Sequence, residues 1–290
     1  PASAGLFCAH EWAVCKEGHK AAGSAFAPGL KSPQNQASQS SQHQLTLSSH
    51  FQHDHQERPV TPVVQFAEED KYALITLDDG KANAVSFALL EQLNAALDQA
   101  EAVGKVVVIT GRPGKFSAGF DLSVMGQGGE QVLKLVSGGA DIASRILQFP
   151  TPVVMAATGH ALAMGGIMLM TADYRLGIAG DYKLGLNEVA IGMSMPRFGV
   201  EIARARLDPA HFELSVNCAY LYDAEGAVEA GYLDEAVDSG QLMYRAVAVA
   251  EQLSGLDMQA HQNTKSRVRA PLLRALEEAM EKDFADKGGL

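Results

Sequence analysis

The chain has 290 residues, 47% of them hydrophobic and 20% charged, with a formal net charge of -11. This is a globular composition, and its acidic balance argues against a surface that tracks nucleic-acid phosphates. The most apolar stretch, Ala161 to Met170, is interrupted by Gly165 and Gly166 and is too short to span a bilayer, so no membrane partner is expected. The three cysteines, Cys8, Cys15 and Cys218, are too few for a disulfide framework, which suggests a reducing, cytoplasmic setting.

In chain order, residues 1–60 stand apart. Ser, Gln and His dominate from Ser32 to Gln56, no period there can bury a face, and a disordered low-complexity tail is expected. Cys8, His10, Cys15 and His19 are possible soft metal ligands, but their spacing differs from that of structural zinc sites. No metal site is expected. From Val63 the texture changes. Val63 to Phe66 and Tyr72 to Leu77 read as strands, the second closed by the turn Asp78-Asp79-Gly80. Ser86 is placed to cap a helix running to about Val103, with Leu89, Leu90, Leu93, Ala96, Leu97 and Ala100 on one face. Val106 to Thr110 is a continuous β-branched run, the pattern of a strand buried on both faces.

A glycine-rich loop follows, then a helix from about Glu130 to Leu147, a strand from Val153 to Ala157, a second glycine-containing loop and an apolar helix from Gly165 to Thr171. Two short strands, Tyr174 to Ile178 and Tyr182 to Leu186, come next. From Phe198 onward the pattern is mostly helical, with a long final helix from about Met258 to Lys282. Strands alternating with helices indicate an α/β architecture with a largely parallel sheet. The late helices have no obvious strands to cover, and no repeat of fixed period is visible.

Two loops are candidates for chemistry, Gly111 to Leu122 and Gly159 to Gly166, each directly after a buried strand. Ligands bind at the carboxyl ends of parallel strands, and a helix start presents unpaired N–H groups. Two such loops converging would offer two backbone donors to one oxygen. Each loop alone reads more readily as a tight turn. The fingerprints of dinucleotide-binding, P-loop and nucleophile-elbow proteins are all absent.

Three segments carry a resemblance. Phe116-Ser117-Ala118-Gly119-Phe120-Asp121-Leu122 resembles the F-x-A-G-x-D-[LI] loop of the crotonase (enoyl-CoA hydratase/isomerase) superfamily. Gly159 to Gly166 resembles its second oxyanion loop, and Leu184-Gly185-Leu186-Asn187-Glu188 with Ile191-Gly192 resembles the segment of its catalytic glutamate. The likeness runs from about residue 62 to 250. It implies a crotonase-like ββα spiral core over 61–255, with a C-terminal helix over 256–290 for packing or oligomerisation. It also implies an acyl-CoA substrate, with coenzyme A as part of that substrate and no other cofactor, and a homotrimer or hexamer.

Carried over by position, the oxyanion donors are the N–H groups of Phe120 and Met164, with Gly165 the alternative second donor. Met164 stands where the family usually has glycine. Ala118, Gly119, Asp121, Gly165 and Ile167 fall at substrate-binding positions. Of the two glutamates of the family's hydratases, one falls on Glu188 and the other on Ile167. A single carboxylate suits moving a double bond, so the expected reaction is Δ3,Δ2-enoyl-CoA isomerisation. A 2-enoyl-CoA hydratase and a non-catalytic acyl-CoA-binding or scaffold homologue are the alternatives. Asp121 is expected to stiffen its turn and His160 to be a packed or hydrogen-bonded side chain. Met164, Met168, Met193 and Met195 could line an acyl pocket, and Lys115, Lys265, Arg267 and Arg269 could meet the cofactor's phosphates or form a solvated face.

Overall fold

The computed structural model describes residues 62–285. The low-complexity segment and the Cys8, His10, Cys15 and His19 group lie outside the described residues. The chain opens with strands β1 (Val64–Glu68) and β2 (Tyr72–Leu77), an antiparallel pair in which Val64 faces Leu77. Helix α1 (Phe87–Val103) then crosses over to β3 (Val106–Thr110), which pairs parallel to β2. The Ser86 side chain accepts the Leu89 N–H at 3.2 Å at the start of α1, and Gly104 ends it at φ 66°. The six residues read as its apolar face are the six that are buried.

From β3 onward the chain climbs in unequal ββα turns. Each turn gives one strand to a large sheet and the next to a small one. The pairs are β3 with β4 (Gly114–Ser117), β5 (Val153–Ala157) with β6 (Gly159–Leu162), and β7 (Tyr174–Ile178) with β8 (Leu184–Gly185). The first pair is followed by α2 (Leu122–Met125) and α3 (Gly129–Gln148), the second by α4 (Met164–Thr171), and the third by α5 (Arg197–Arg206). Helices α6 (Pro209–Val216) and α7 (Ala224–Ala230) then lead to β9 (Glu235–Val237). The large sheet has the order β1-β2-β3-β5-β7-β9 and the small one β4-β6-β8. Every pairing but β1 with β2 is parallel. This is the α/β spiral that the resemblance implied. The sequence reading took β4 and β6 for loop, drew β8 too long and missed β9. These strands are short, four residues or fewer, and pairing partners define them rather than local propensity.

The large sheet is covered on both faces. Val107 and Ile109 of β3 and Val153, Met155 and Ala157 of β5 face the main core with α1, α3 and α4. Val106 and Val108, with Val154 and Ala156, face a second core closed by Leu242, Ala246, Val249 and Ala250 of α8 (Leu242–Ser254). A strand with both faces buried reads as a continuous apolar run. Helix α8 therefore does cover strands, contrary to expectation. Helix α9 (Met258–Ala285) packs instead on α5 and α3, burying Leu276 and Ala279. No described helix is long and apolar enough to cross a membrane.

Candidate active site

The small sheet brings the two glycine loops together. Gly114 of β4 pairs with Gly159 of β6, and Ala161 of β6 pairs with Leu184 of β8. Each loop thus leaves the carboxyl end of a parallel strand beside the next. The contact is close. A Cβ on Gly119 would lie 2.7 Å from Ala163 Cβ and 3.4 Å from Met164 N, and Gly119 sits at φ 88°. Only glycine fits there.

A preceding segment holds the first loop. Ala118 N–H donates to Ala82 O at 3.0 Å, Val85 N–H to Gly119 O at 2.8 Å, and Asp121 N–H to Val85 O at 3.1 Å. These bonds flank Phe120, so its own N–H points to the opposite side, and among the described residues no acceptor takes it. Fully buried Asn83 anchors the segment. Its Nδ2 donates to Leu77 O, Lys115 O and Phe116 O, and its own carbonyl accepts from Ser117 Oγ at 2.8 Å. The sequence reading passed over Asn83. The signal available was an asparagine in a turn, a residue type that tolerates the left-handed backbone, found here at φ 51°.

The second loop turns at Ala163, which holds φ 50° and ψ -122°. A non-glycine residue in this region is strained, and the turn starts α4 at Met164 with no side-chain cap. The first-turn N–H groups of α4 thus lack side-chain acceptors beside Gly119. Gly165 and Gly166 let α4 approach the small sheet: a Cβ on the first would meet Ser117 O at 2.5 Å, and one on the second Gly185 O at 2.9 Å. The Met164 side chain is buried. A Cβ on Gly139 of α3 would lie 3.4 Å from Met164 Cε and 2.6 Å from the Phe120 ring. The gap left by Gly139 accommodates the methionine and seats the Phe120 ring. Ala118 is exposed and Gly119 and Gly165 are buried. Ile167 is buried too and directs its side chain at Gly199 of α5, next to Met195.

Glu188 follows β8. It is 6% exposed, and its Oε2 is buried without a hydrogen-bond partner. Burial raises its pKa to about 7, opposed only by its own backbone N–H. The neighbouring Asn187 Oδ1 is likewise buried and unpartnered. Asp121 accepts from Ser123 N–H at 2.8 Å and Ser123 Oγ at 2.7 Å, capping α2. These bonds hold its carboxyl below the usual range, which suits a turn rather than a base. His160 Nδ1 accepts the Lys183 N–H at 3.0 Å, and its ring meets Tyr182 edge-on. Burial depresses its pKa, with Lys115 and Lys183 adding to the effect.

Two of the candidate phosphate ligands face inward. Lys265 and Arg269 of α9 are buried and paired with Asp173 at 2.6 and 2.9 Å. Arg269 also donates to Leu147 O and Ala172 O. Both charges are committed inside the fold, while Arg267 is exposed and Lys115 half-buried. Among the described residues no cluster of His, Cys, Asp or Glu could hold a metal ion.

Comparison with known proteins bears on the family and the fold. The family model described as enoyl-CoA hydratase/isomerase matches residues 67–286. A crystal structure of an enoyl-CoA hydratase/isomerase family protein from Pseudomonas syringae is 44% identical, with a TM-score of 0.77 over 79% of this chain and 98% of that one. A Mycobacterium tuberculosis protein is known from two structures, one described as an enoyl-CoA isomerase and the other as a probable enoyl-CoA hydratase. They are 37% and 38% identical, with TM-scores of 0.74 and 0.75, over 77% of this chain and 98% and 95% of theirs. A probable enoyl-CoA hydratase from Bacillus subtilis is 34% identical over 134 residues, 45% of this chain. The chain spans only about half the length of that relative, 52%. The match over most of the chain, with both loops and the glutamate segment in place, shows that this protein belongs to the enoyl-CoA hydratase/isomerase family.

Proposed function

We propose that the protein moves a double bond in an enoyl thioester of coenzyme A from position 3 to position 2, with Glu188 as its single base. The observation that carries this reading is one buried carboxylate, unpartnered at Oε2, on the segment after β8, the strand whose Gly185 carbonyl accepts the Ala163 N–H of the second loop at 3.0 Å, while the second glutamate position is the core residue Ile167. In this reading Glu188 takes a proton from C2, and charge moves to the thioester oxygen. The N–H groups of Phe120 and Met164 stabilise that enolate; losing one such donor typically costs about 3–4 kcal/mol of barrier stabilisation. Protonated Glu188 then returns the proton at C4. A carboxyl with a pKa of about 7 is suited to both halves, since transfer is efficient when the pKa lies near the working pH. Hydration would also require a water to be held and deprotonated, and among the described residues the only other buried carboxylate, Asp283, is taken up at the start of α5.

The test compares 3-hexenoyl-CoA with crotonyl-CoA, using wild type and Glu188→Gln. Isomerisation by the wild type, lower by about a hundredfold or more in the variant, is expected. Hydration of crotonyl-CoA at a comparable rate would overturn the one-carboxylate reading, and binding without turnover of either ester would favour a non-catalytic role. Sedimentation of the same preparations is expected to give the homotrimer or hexamer.

A further inference from the structure

Helix α4 begins at Met164, and its other end meets two cations that the reaction above does not use. All eight residues of α4 are buried and none is charged. Its aligned peptide dipoles therefore lie in a low-dielectric setting, with no charge of their own at either end. A helix also ends on carbonyls that lack partners within it. Arg206, the last residue of α5, donates from Nη2 to Ala172 O, directly after α4, at 2.8 Å. Arg269 of α9 donates to the same oxygen at 3.2 Å, and to Leu147 O in the last turn of α3 at 2.7 Å. Two helices distant in sequence thus each place a guanidinium on the carboxyl end of α4.

Arg206 is the more telling of the two. The charge of Arg269 is met by Asp173. Arg206 is half-buried, its one hydrogen bond among the described residues is the Ala172 carbonyl, and its Nε is buried without a partner. Burial pushes its pKa down, with Arg175 and Arg269 adding to the effect, yet a guanidinium stays charged near neutral pH. The opposing carboxylates, Asp234 and Asp173, are already paired with Arg175 and with Lys265 and Arg269. A cation drawn into the fold for one carbonyl carries a desolvation penalty that an apolar side chain would avoid. Its position is also fixed relative to the start of α4. Gly199 of α5 seats Ile167 of α4, since a Cβ there would lie 3.0 Å from Ile167 Cδ1. An eight-residue helix is about 12 Å long, so the cation and the first-turn N–H groups stand at the two ends of one short, buried dipole. A positive charge at the carboxyl end cancels the negative pole and leaves the positive pole less opposed.

We propose, on the reading of the Met164 N–H as an oxyanion donor, that Arg206 is a positioning residue acting through α4: its cation on Ala172 O neutralises the carboxyl end of the helix and strengthens the pull of the amino end on the thioester oxygen. The test reads the thioester bond itself. The full chain is mixed with butyryl-CoA carrying 13C at the thioester carbonyl, a saturated ester that cannot isomerise, and the carbonyl band is followed by isotope-edited infrared spectroscopy. Turnover of 3-hexenoyl-CoA is measured beside it. The variants are Arg206→Lys, which keeps the charge, Arg206→Gln, which keeps a donor without the charge, and Arg206→Met, which keeps neither. In wild type the band should move to lower frequency on binding, and Arg206→Lys should retain that shift. Arg206→Gln and Arg206→Met should lose part of it and lower kcat by about threefold or more, with KM unchanged. A wild-type band and kcat in folded Arg206→Gln and Arg206→Met overturn the proposal. So does an equal loss in all three variants, which would assign the guanidinium to packing rather than to charge. If Arg206→Met does not fold, Arg206→Gln against Arg206→Lys still decides. A wild-type band that does not move on binding would instead sink the donor assignment, and this inference with it.

Discussion

Glu188 shows at residue scale how one position trades stability for reactivity. Its folded pKa of about 7 lies above the ordinary carboxyl value of 4.5 because burial penalises the charge. Between these values the unfolded chain releases the proton while the folded chain still holds it, so stability falls as pH rises through this window and stays low above it. Glu188→Gln should relieve that penalty. It is expected to be more stable than wild type by about 2–3 kcal/mol at pH 8, with the gain shrinking toward zero near pH 4.5. Urea denaturation at several pH values checks this, and a pH-independent difference would show that the charge is not the cause. The same ionisation should place the acidic limb of kcat/KM at or below pH 7. Asn83 illustrates a residue whose role was hidden: its identity suggested a turn, but its amide also joins the end of β2 to β4, binding Leu77 O on one and Lys115 O and Phe116 O on the other.

At the scale of elements, the proposed oxyanion pair is made by packing. Helix α4 reaches the small sheet because Gly165 and Gly166 present no side chain to β4 and β8, and α3 reaches Phe120 and Met164 because Gly139 leaves room for the Phe120 ring and the methionine. Gly139→Val should push the ring aside and shift the Phe120 N–H. A misplaced donor should cost about tenfold to a hundredfold in kcat, while the circular dichroism spectrum stays native. Unchanged kcat in that variant would mean that the ring is not coupled to the donor. The helices themselves were legible from periodicity. The strands β4 and β6 were not, and β8 was drawn too long, because four or fewer residues carry no period and become strands only when their neighbours align.

Among the described residues α9 ties distant turns of the fold together, and its basic side chains were expected to meet the cofactor's phosphates or form a solvated face. Asp173, at the end of the second ββα turn, binds Lys265 and Arg269 and also accepts the Val153 N–H at 2.8 Å. At the other end of α9, Asp283 accepts the Phe198 N–H at 3.0 Å and pairs with Arg197, capping α5. Asp173→Asn would leave two buried cations without a counter-charge. That should cost about 3 kcal/mol or more in guanidinium unfolding. Lys265→Met, which keeps the Asp173–Arg269 pair, should cost less, and the reverse order would show that the lysine, not the carboxylate, organises the cluster.

By itself the sequence determined the class of fold, the apolar faces of the helices, the fully buried central strands and the two glycine loops. Those properties follow from local periodicity and from the backbone freedom of particular residues. Ordered motifs in one chain also identified the family. Only the tertiary structure decided that Gly119 touches Ala163, that α8 covers the large sheet, and that Lys265 and Arg269 turn inward. It also decided that Glu188 and Tyr232 are both buried without partners. Burial and pairing depend on which distant segments meet, and a linear pattern records the surface each residue prefers rather than the neighbour it finds.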